Sequence, residues 1–551
     1  MIILVSLFFA TLIILWIQLK IWKIERNIVF PIFTAIFYFW SLAGSWLFCF
    51  DQLTHFGKKI GLQYYYLLEK MFYVHFDTTY LKVIWMYATF IIIFQLLIYL
   101  GLRRVKRTPP IEKVDTPIHF QPAVFLFSAL LFLFVSVWSV KDVIIYSLLL
   151  HESVYLNIRS AAINNYTIHQ YACWIMIVSL FVYVGLYLKQ KDAAITVKKP
   201  GVFFWIVFGI CNLYLVMIGS RHEVFFGGIV VFILMSYPFR SIRDSKKLYL
   251  VVVSVWVFIL MLNDPIRSLM PVIASKTGIN ALLSSKKKMD EAYLFSSDRT
   301  YISHKSRKIS EEIIKKNALK DTTLYIKKDT IVINKNSLME QLHQHPDYIL
   351  IDNKKLKFAN SHISMAYQNN SNFTKLMLTL SNVIFSNEMF AGHFSMYGVL
   401  SKNVQPKIGF SFKNLLYSFV PSTIVKERPM DSYTFYSQKM GFKSGQGFTI
   451  NYITAWYLNF SYFGLILGPL FVAVLLLLPF YLATKLKSNV AQLFSIIALC
   501  GITGFAAMMV RSGPESFKAL IYESIMIPLF IVYAAIFVNK IWKQLRMNYG
   551  K

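Results

Sequence analysis

The stretch that decides the fold is residues 202–239, VFFWIVFGICNLYLVMIGSRHEVFFGGIVVFILMSYPF. Two apolar segments without a charge flank a short connection, Gly219–Glu223. Apolar runs of about this length are typical of helices that cross a bilayer. The connection contains Arg221, and a guanidinium group presents a planar fork of donors that matches phosphate oxygens. It therefore predicts a site for an anionic lipid head group. The alternative is an interfacial arginine that only snorkels to lipid phosphates.

The composition indicates a membrane protein. Hydrophobic residues make up 56% of the 551 residues and charged residues only 15%, whereas a soluble domain carries about 25% charged residues. We predict an all-α polytopic membrane protein with about eleven transmembrane helices. The predicted spans are residues 2–19, 28–50, 81–102, 122–140, 169–188, 201–219, 223–239, 248–263, 460–482, 490–510 and 517–537.

The basic residues of the short connections predict the orientation of these helices. One alternate set of connections, which includes residues 103–113 and the C-terminal tail, carries 22 Lys or Arg, and the opposite set carries 8. Because short basic loops face the cytoplasm, the N-terminus is predicted outside and the C-terminus inside, with Arg221 and Arg511 on the outer face. The net charge of +30 is spread over loops separated by lipid, which argues against nucleic acid as a partner.

The spans divide the chain into three segments. Residues 1–263 contain the first eight helices, residues 264–448 form a large extracytoplasmic (periplasmic) loop, and residues 449–551 contain the closing three helices. Within the loop, two pairs of short alternating strands predict hairpins in a small α/β insert at about residues 290–358. Residues 371–389 predict an amphipathic helix on the membrane surface.

A second polar connection on the outer face begins at Arg511, between the last two spans. Lys518, Tyr522 and Glu523 follow within the final span. A carboxylate about 10–12 Å inside an apolar helix is costly and indicates a functional site by default. Tyr522 and Glu523 are therefore candidate substrate-binding residues. The alternative for Glu523 is an internal ion pair with Arg221 or Lys518.

The stretch from Glu427 to Gly464 is polar, aromatic and rich in glycine. Its aromatic rings offer surfaces on which sugar rings can stack, and the alternative is an interfacial aromatic belt. The further candidate substrate-binding residues are Lys443, Asn451, Tyr457, Asn459 and His393.

Motifs for metal or nucleotide binding do not occur in the sequence. It contains no Asp-x-Asp pair, no CxxC pair and no glycine-rich phosphate loop. We therefore predict no cofactor and no metal ion.

The sequence resembles the Wzy-type polymerases of O-antigen and related surface polysaccharides, also called oligosaccharide repeat-unit polymerases. The resemblance covers about residues 200–540 in pattern, and the insert at 290–358 has no place in it. The matching features are Gly219–Glu223 at the start of a span, the glycine-rich stretch leading into Tyr457–Phe460 and Gly464, Arg511 between the last spans, and one dominant outer loop.

The resemblance implies a metal-independent membrane glycosyltransferase of the GT-C type. Its donor would be a glycan on undecaprenyl pyrophosphate, and the growing chain would move onto another lipid-linked repeat unit. Outer-face arginines of the family hold the pyrophosphates, which gives that catalytic role to Arg221 and Arg511 here. A base must accept the proton of the acceptor hydroxyl. The candidate bases are His222 and Glu223, followed by His393 and Glu523.

The resemblance also implies a location in the bacterial cytoplasmic (inner) membrane, with the active site facing the periplasm. Expected partners are the undecaprenyl-pyrophosphate-linked oligosaccharide, membrane lipids, a polysaccharide chain-length regulator and a flippase. Three alternatives stay open: an O-antigen-ligase-like transferase of the same architecture, a lipid-linked glycan flippase or other transporter, and a structural or receptor role.

Overall fold

A computed structural model describes residues 2–54, 72, 74–107, 118–149, 158, 163–189, 195–218, 221–236, 254, 322–326, 329–333, 348–351, 354–357, 388–420, 427–442 and 449–549. The helices up to the long outer loop are α1 (Ile2–Ile24), α2 (Val29–Tyr38), α3 (Gly44–Thr54), α4 (Thr78–Arg107), α5 (Pro122–Leu149), α6 (Ile163–Lys189), α7 (Val202–Ile218) and α8 (Arg221–Ser236). Those after it are α9 (Glu388–Ser401), α10 (Phe410–Ser418), α11 (Ser432–Met440), α12 (Tyr452–Phe460), α13 (Gly464–Lys485), α14 (Asn489–Met509), α15 (Phe517–Ala519) and α16 (Ile527–Tyr549).

Long apolar helices confirm the membrane class. Eight stretches of the described residues are long and apolar enough to cross a membrane: Ile2–Ile24, Val29–Phe50, Thr78–Val105, Pro122–Ile144, Tyr166–Leu188, Tyr452–Lys485, Asn489–Met509 and Pro514–Met547. Each overlaps a predicted span. Helices α7 and α8 coincide with two more predicted spans but are shorter. The predicted span 248–263 lies outside the described residues apart from residue 254, so the count of eleven stays a prediction.

Aromatic side chains fill the interior between α2 and α4. The Phe37 ring centroid lies 5.5 Å from that of Phe90 and 5.6 Å from that of Phe94, and all three residues are buried. Since lipid tails are as apolar as these rings, close packing rather than the hydrophobic effect favours such contacts in a membrane.

Helices α6 and α8 run in the same direction. The Trp174 ring of α6 lies 4.4 Å from the Phe226 ring of α8, and further along both helices Leu234 packs on Gly185. The first turns of α6 and α8 therefore lie at the same end of the bundle.

The last helical stretch runs parallel to α6 as well. Tyr171, in the first third of α6, lies within electrostatic range of Glu523. At the other end, the Ala535 carbonyl accepts a hydrogen bond of 3.1 Å from the Gln121 amide. That end is also marked by a two-residue parallel pair, β1 (Ile118–His119) with β2 (Ile195–Thr196). The turn at Arg511 therefore lies where α6 and α8 begin, and we call this the Arg511 end. Which end faces the cytoplasm stays a prediction.

Helix α9 lies inside the bundle, although its residues belong to the predicted outer loop, 264–448. Residues Gly392–Val399 are all buried, and α9 packs on α3, α4 and α12. With 14 residues it is about 21 Å long, which is typical of a buried helix rather than a span. Of the predicted surface helix 371–389, only Glu388 and Met389 are described, and they begin α9.

The span predicted at 460–482 is longer and interrupted. Helix α12 ends at Phe460, Ser461 adopts a positive φ of 53°, and α13 begins at Gly464 after a short 3-10 turn. A Cβ atom at position 464 would lie 2.6 Å from the carbonyl carbon of Trp456. Only glycine permits this approach of two backbones.

The final span is irregular at its start. A 3-10 turn at Pro514–Ser516 and the short helix α15 lead into a π-helical stretch, Leu520–Met526. A second π-helical stretch, Phe39–Ala43, separates α2 from α3. Such stretches are rare and are frequent at functional sites.

The two predicted hairpins of the insert are present. Strand β3 (Thr322–Ile326) pairs antiparallel with β4 (Asp329–Ile333), and β5 (Tyr348–Ile351) pairs antiparallel with β6 (Lys354–Lys357). The helices predicted for the insert lie outside the described residues, so the α/β insert as a unit stays a prediction.

Candidate functional site

Two buried carboxylates from different helices come near each other towards the Arg511 end. Glu223 lies in the first turn of α8 and Glu523 in the π-helical stretch. The two residues are 9% and 7% exposed and lie within electrostatic range of each other, with Lys518 also in range of Glu523. Charges in such surroundings are costly and mark functional sites by default.

Helix α14 supports both carboxylates. The Ser524 backbone approaches Gly501 of α14 so closely that a Cβ atom at position 501 would lie 2.7 Å from the Ser524 carbonyl carbon. One turn further along α14, Phe226 of α8 packs against Gly504. The small residues of α14 thus let α8 and the π-helical stretch approach the same helix.

Arg511 lies in the turn that follows α14. Its amide donates to the Met508 carbonyl at 3.2 Å, and the preceding Val510 carbonyl accepts from the Tyr452 amide at 2.9 Å. The turn is therefore fixed to the start of α12. Arg511 is half-buried, which suits a guanidinium that meets a ligand at the edge of the bundle.

Arg221 is the first residue of α8, so its backbone shares the Arg511 end with Arg511. The side chains of Arg221 and His222 are not among those that the structure describes. A common pocket for the two guanidinium groups therefore stays a prediction, as does a role for His222. Lys443 lies outside the described residues.

His393 has a structural role within the fold, and its contact with substrate stays a prediction. It is 1% exposed. Its Nδ1 lies 2.7 Å from the Ser41 carbonyl oxygen, and its Nε2 lies 3.0 Å from the Tyr80 hydroxyl. Burial lowers the pKa of His393 to about 4, although the hydrogen bond to Ser41 acts in the opposite direction. The imidazole is thus neutral near pH 7 and joins α9 to α4 and to the π-helical stretch before α3.

Asn451 caps α12, and its role in substrate binding stays a prediction. Its Oδ1 accepts from the Ile453 amide at 2.8 Å, as an N-cap side chain does. Its Nδ2 donates to the Ser41 hydroxyl at 3.0 Å and to the Trp40 carbonyl at 3.2 Å. The side chain is buried and fixes α12 to the first interrupted span.

Asn459 likewise has a structural role, and its contact with sugar stays a prediction. Its Oδ1 accepts from the Ser411 amide at 3.1 Å and from the Ser411 hydroxyl at 3.0 Å. Its Nδ2 donates to the Ala455 carbonyl at 2.8 Å. Tyr457, two residues earlier, is 7% exposed, and its ring lies 5.5 Å from that of Tyr462. The Tyr457–Phe460 motif therefore joins α12 to α10.

Glu515 is a half-buried carboxylate that is not among the predicted site residues. One oxygen accepts from the Ser432 hydroxyl at 3.0 Å, and the other accepts from the amides of Ser432 and Gly513, both at 3.2 Å. With three donors it is a structural residue that fixes the Arg511 turn to α11. No sequence pattern links residues 432 and 515.

A hydrogen-bonded cluster lies beside Glu223. The Ser136 hydroxyl is 3.0 Å from Nδ1 of His169, 3.2 Å from Sγ of Cys173 and 2.9 Å from the Tyr214 hydroxyl. Cys173 lies within electrostatic range of Glu223. The cluster joins α5, α6 and α7 by hydrogen bonds among its own members.

Tyr171 is a further residue that sequence reasoning missed. It lies within electrostatic range of both Glu523 and Tyr522, and it is half-buried. The only sequence signal is a polar start to the fifth span, where His169 and Gln170 precede it.

No protein-family model matches this chain, and no similar chain is found among curated proteins or among solved structures.

Proposed function

We propose that the protein is a Wzy-type membrane glycosyltransferase that polymerises undecaprenyl-pyrophosphate-linked oligosaccharide repeat units into a surface polysaccharide. The observation that carries the proposal is the Arg511 end of the bundle. There a half-buried arginine, the start of the helix that begins with Arg221, and the buried carboxylates Glu223 and Glu523 come together. The sequence resemblance supplies the substrate class.

The proposed reaction suits this arrangement of charges. As the bond from the anomeric carbon to the pyrophosphate breaks, its electron pair leaves with the pyrophosphate, which gains negative charge. Arg511 and Arg221 stabilise that charge. Preorganised donors of this kind are worth about 3–4 kcal/mol of barrier each. A new bond forms between the anomeric carbon and the acceptor oxygen, and undecaprenyl pyrophosphate is released.

A carboxylate accepts the proton that the acceptor hydroxyl loses. Glu223 follows Arg221 by two residues, so a base and a phosphate ligand lie on the same helical turn. Glu523 is the second candidate base. His393 is the least suitable of the candidate bases, because its ring nitrogens contact Ser41 and Tyr80.

The predicted orientation favours a reaction outside the cytoplasm. The excess of Lys and Arg in alternate connections favours an Arg511 end on the periplasmic face of a bacterial inner membrane. A repeat unit must then be moved across the membrane before it reaches the site, so a flippase acts upstream. A chain-length regulator is the expected protein partner.

The decisive experiment uses the purified full-length protein and an undecaprenyl-pyrophosphate-linked repeat unit, without added metal or nucleotide. Wild type yields a ladder of polymer. Arg511→Ala reduces the rate by about 10²–10³-fold, and Arg221→Lys also loses most of it, because lysine cannot bind phosphate with a bidentate fork. Arg546→Ala is the matched control: Arg546 is exposed in the last turn of α16, at the opposite end. No ladder from wild type, or full activity in Arg511→Ala, contradicts the proposal.

A lipid-linked glycan flippase is the second candidate function. The observation that favours it is the interruption of spanning helices at Ser461 and in the π-helical stretches, because transporters often use discontinuous helices. If the protein is a polymerase, cells that lack it should accumulate single lipid-linked repeat units on the periplasmic face of the membrane. If it is a flippase, those cells should accumulate the units on the cytoplasmic face.

A further inference from the structure

Helix α10, at the Arg511 end, exposes a face of mixed apolar and basic side chains. Phe410 and Ser411 point inwards and are buried. Lys413, Leu416 and Tyr417 are exposed, and their spacing of three and four residues places them on one face of the helix. Leu416 is 69% exposed. Such a face is typical of a helix that lies in the interface of a bilayer.

The residues on both sides of α10 extend this surface. Ile408, just before the helix, is 83% exposed. After the helix, the side-chain amide of Asn414 donates to the Pro429 carbonyl, which brings the exposed Met430 beside α10. We call residues 407–420 and 427–430 the α10 segment. Its exposed basic residues are Lys407, Lys413 and Arg428.

Both ends of the α10 segment are fixed to spanning stretches. At one end, the Gly409 amide donates to the Asn459 carbonyl at 3.0 Å. At the other end, the Phe419 ring centroid lies 5.7 Å from that of Tyr522. Helix α10 also packs on the 3-10 turn Pro514–Ser516 and on α15. The segment therefore runs from the break between α12 and α13 to the start of the final span.

The two spans expose apolar side chains close to these attachment points. Phe463 and Ile466 are exposed at the start of α13, and Met526 and Phe530 are exposed in the final span. Both stretches are long and apolar enough to cross a membrane, so their exposed side chains face lipid. The α10 segment thus adjoins lipid-facing surface at both of its ends.

Helix α11, at the same end, gives a comparison. Its exposed residues are Gln438 and Lys439, as expected of a helix that faces water. The α10 segment instead combines exposed apolar side chains with three exposed basic residues and one exposed carboxylate, Glu427. Apolar side chains suit the boundary of the acyl chains, and basic groups suit anionic head groups. One leaflet of the membrane offers both, and it already surrounds the adjoining spans.

We propose that the α10 segment is an interfacial anchor that lies in the leaflet at the Arg511 end and binds anionic phospholipid. Ile408 and Leu416 enter the boundary between head groups and acyl chains, and the three basic side chains bind lipid phosphates. Because α10 packs on Pro514–Ser516, the anchor fixes the Arg511 turn at the level of the head groups. This inference goes beyond the proposed function and does not require it.

The first test measures the depth of α10 in nanodiscs of phosphatidylethanolamine and phosphatidylglycerol, with a fluorescent thiol label on the full-length protein. Native Cys49, Cys173, Cys211 and Cys500 are all buried, so the label reacts with a cysteine introduced at an exposed position, and the unsubstituted protein gives the background. Leu416→Cys tests the anchor, Gln438→Cys is the water-facing reference and Phe530→Cys the lipid-facing reference.

A lipid with a nitroxide near its head group is expected to quench the label at position 416, while iodide in the buffer does not. At position 438 the two quenchers should act in the reverse order. Quenching of the label at position 416 by iodide and not by the nitroxide lipid overturns the anchor, and this face would then suit a protein partner.

The second test measures the preference for anionic lipid by titration of the protein in detergent with each phospholipid, followed by native mass spectrometry. Lys407→Gln and Lys413→Gln are each expected to lower the preference for phosphatidylglycerol over phosphatidylethanolamine about fivefold. Lys439→Gln on α11 is the matched control, with the same change of charge, and should keep the wild-type preference. Unchanged preference in both α10 variants, or an equal loss in Lys439→Gln, overturns the binding of anionic lipid at this segment.

Discussion

The contact between Gly501 and the Ser524 backbone is the sharpest test of the site architecture. In Gly501→Ala, the new Cβ atom would lie 2.7 Å from the Ser524 carbonyl carbon. Carbon atoms in contact lie about 3.5–4.0 Å apart, so α14 and the π-helical stretch must separate by about 1 Å. A side chain cannot rotate away from this clash, since both partners are backbone.

Two effects follow from that separation. Forcing a methyl group into a well-packed contact costs about 1–3 kcal/mol of stability. Glu523 is the neighbour of Ser524 and moves with it, and a displacement of about 1 Å in an active site lowers a rate by about 10²-fold. We therefore expect a folded protein with a lower Tm and an activity reduced by about two orders of magnitude.

The matched control is Gly209→Ala in α7. Both glycines lie within apolar helices, but a Cβ atom at position 209 meets nothing within 4 Å. The assay compares apparent Tm in detergent and the rate of polymer formation from lipid-linked repeat units. Wild-type values are expected for Gly209→Ala. A Gly501→Ala protein with wild-type Tm and rate would refute the backbone contact and the placement of Glu523 that depends on it.

Three further outcomes follow from the hydrogen bonds at the Arg511 end. Burial lowers the pKa of His393 from 6.5 to about 4, so between these pH values the unfolded chain binds a proton that the folded protein does not. The stability of the fold therefore falls as the pH decreases from 6.5 to about 4, by about 1.4 kcal/mol per pH unit. His393→Gln removes this contribution, so the Tm of that variant should depend less on pH than the Tm of wild type. Glu515→Gln leaves an amide that can no longer accept from the Ser432 hydroxyl and both amides equally well; a loss of about 1–3 kcal/mol is expected in thermal unfolding, and an unchanged Tm would contradict this role. Asn459→Ala leaves the Ser411 amide and hydroxyl without their acceptor, which should lower Tm while the affinity for oligosaccharide in the folded protein stays unchanged; a selective loss of sugar binding would restore Asn459 to the substrate site.

Hydrogen bonds within the fold indicate which polar side chains of this bundle have a structural role. Four polar residues lie in an apolar environment: Asn451, Asn459, His393 and Glu515. From the sequence alone, each is as good a candidate for a functional site as Glu523. The structure shows that these four accept or donate hydrogen bonds within the fold. Glu523 is 7% exposed and lies within electrostatic range of Glu223 and Lys518.

The sequence alone determined the class of the protein and most of its helices. Apolar runs the length of a bilayer can satisfy their backbone only as helices, so composition and run length suffice to predict spans. Turn chemistry likewise sufficed for the two hairpins, because their register depends on neighbouring residues. Tertiary structure alone decided that α9 lies inside the bundle, since α9 is too short for a span and too apolar for a surface helix. It also decided that α12 is the buried start of the interrupted stretch Tyr452–Lys485. It also brought Glu223 and Glu523, 300 positions apart, to one end of the bundle through close packing on α14. No local pattern encodes that meeting, because it depends on which helices contact each other and not on the character of any single segment.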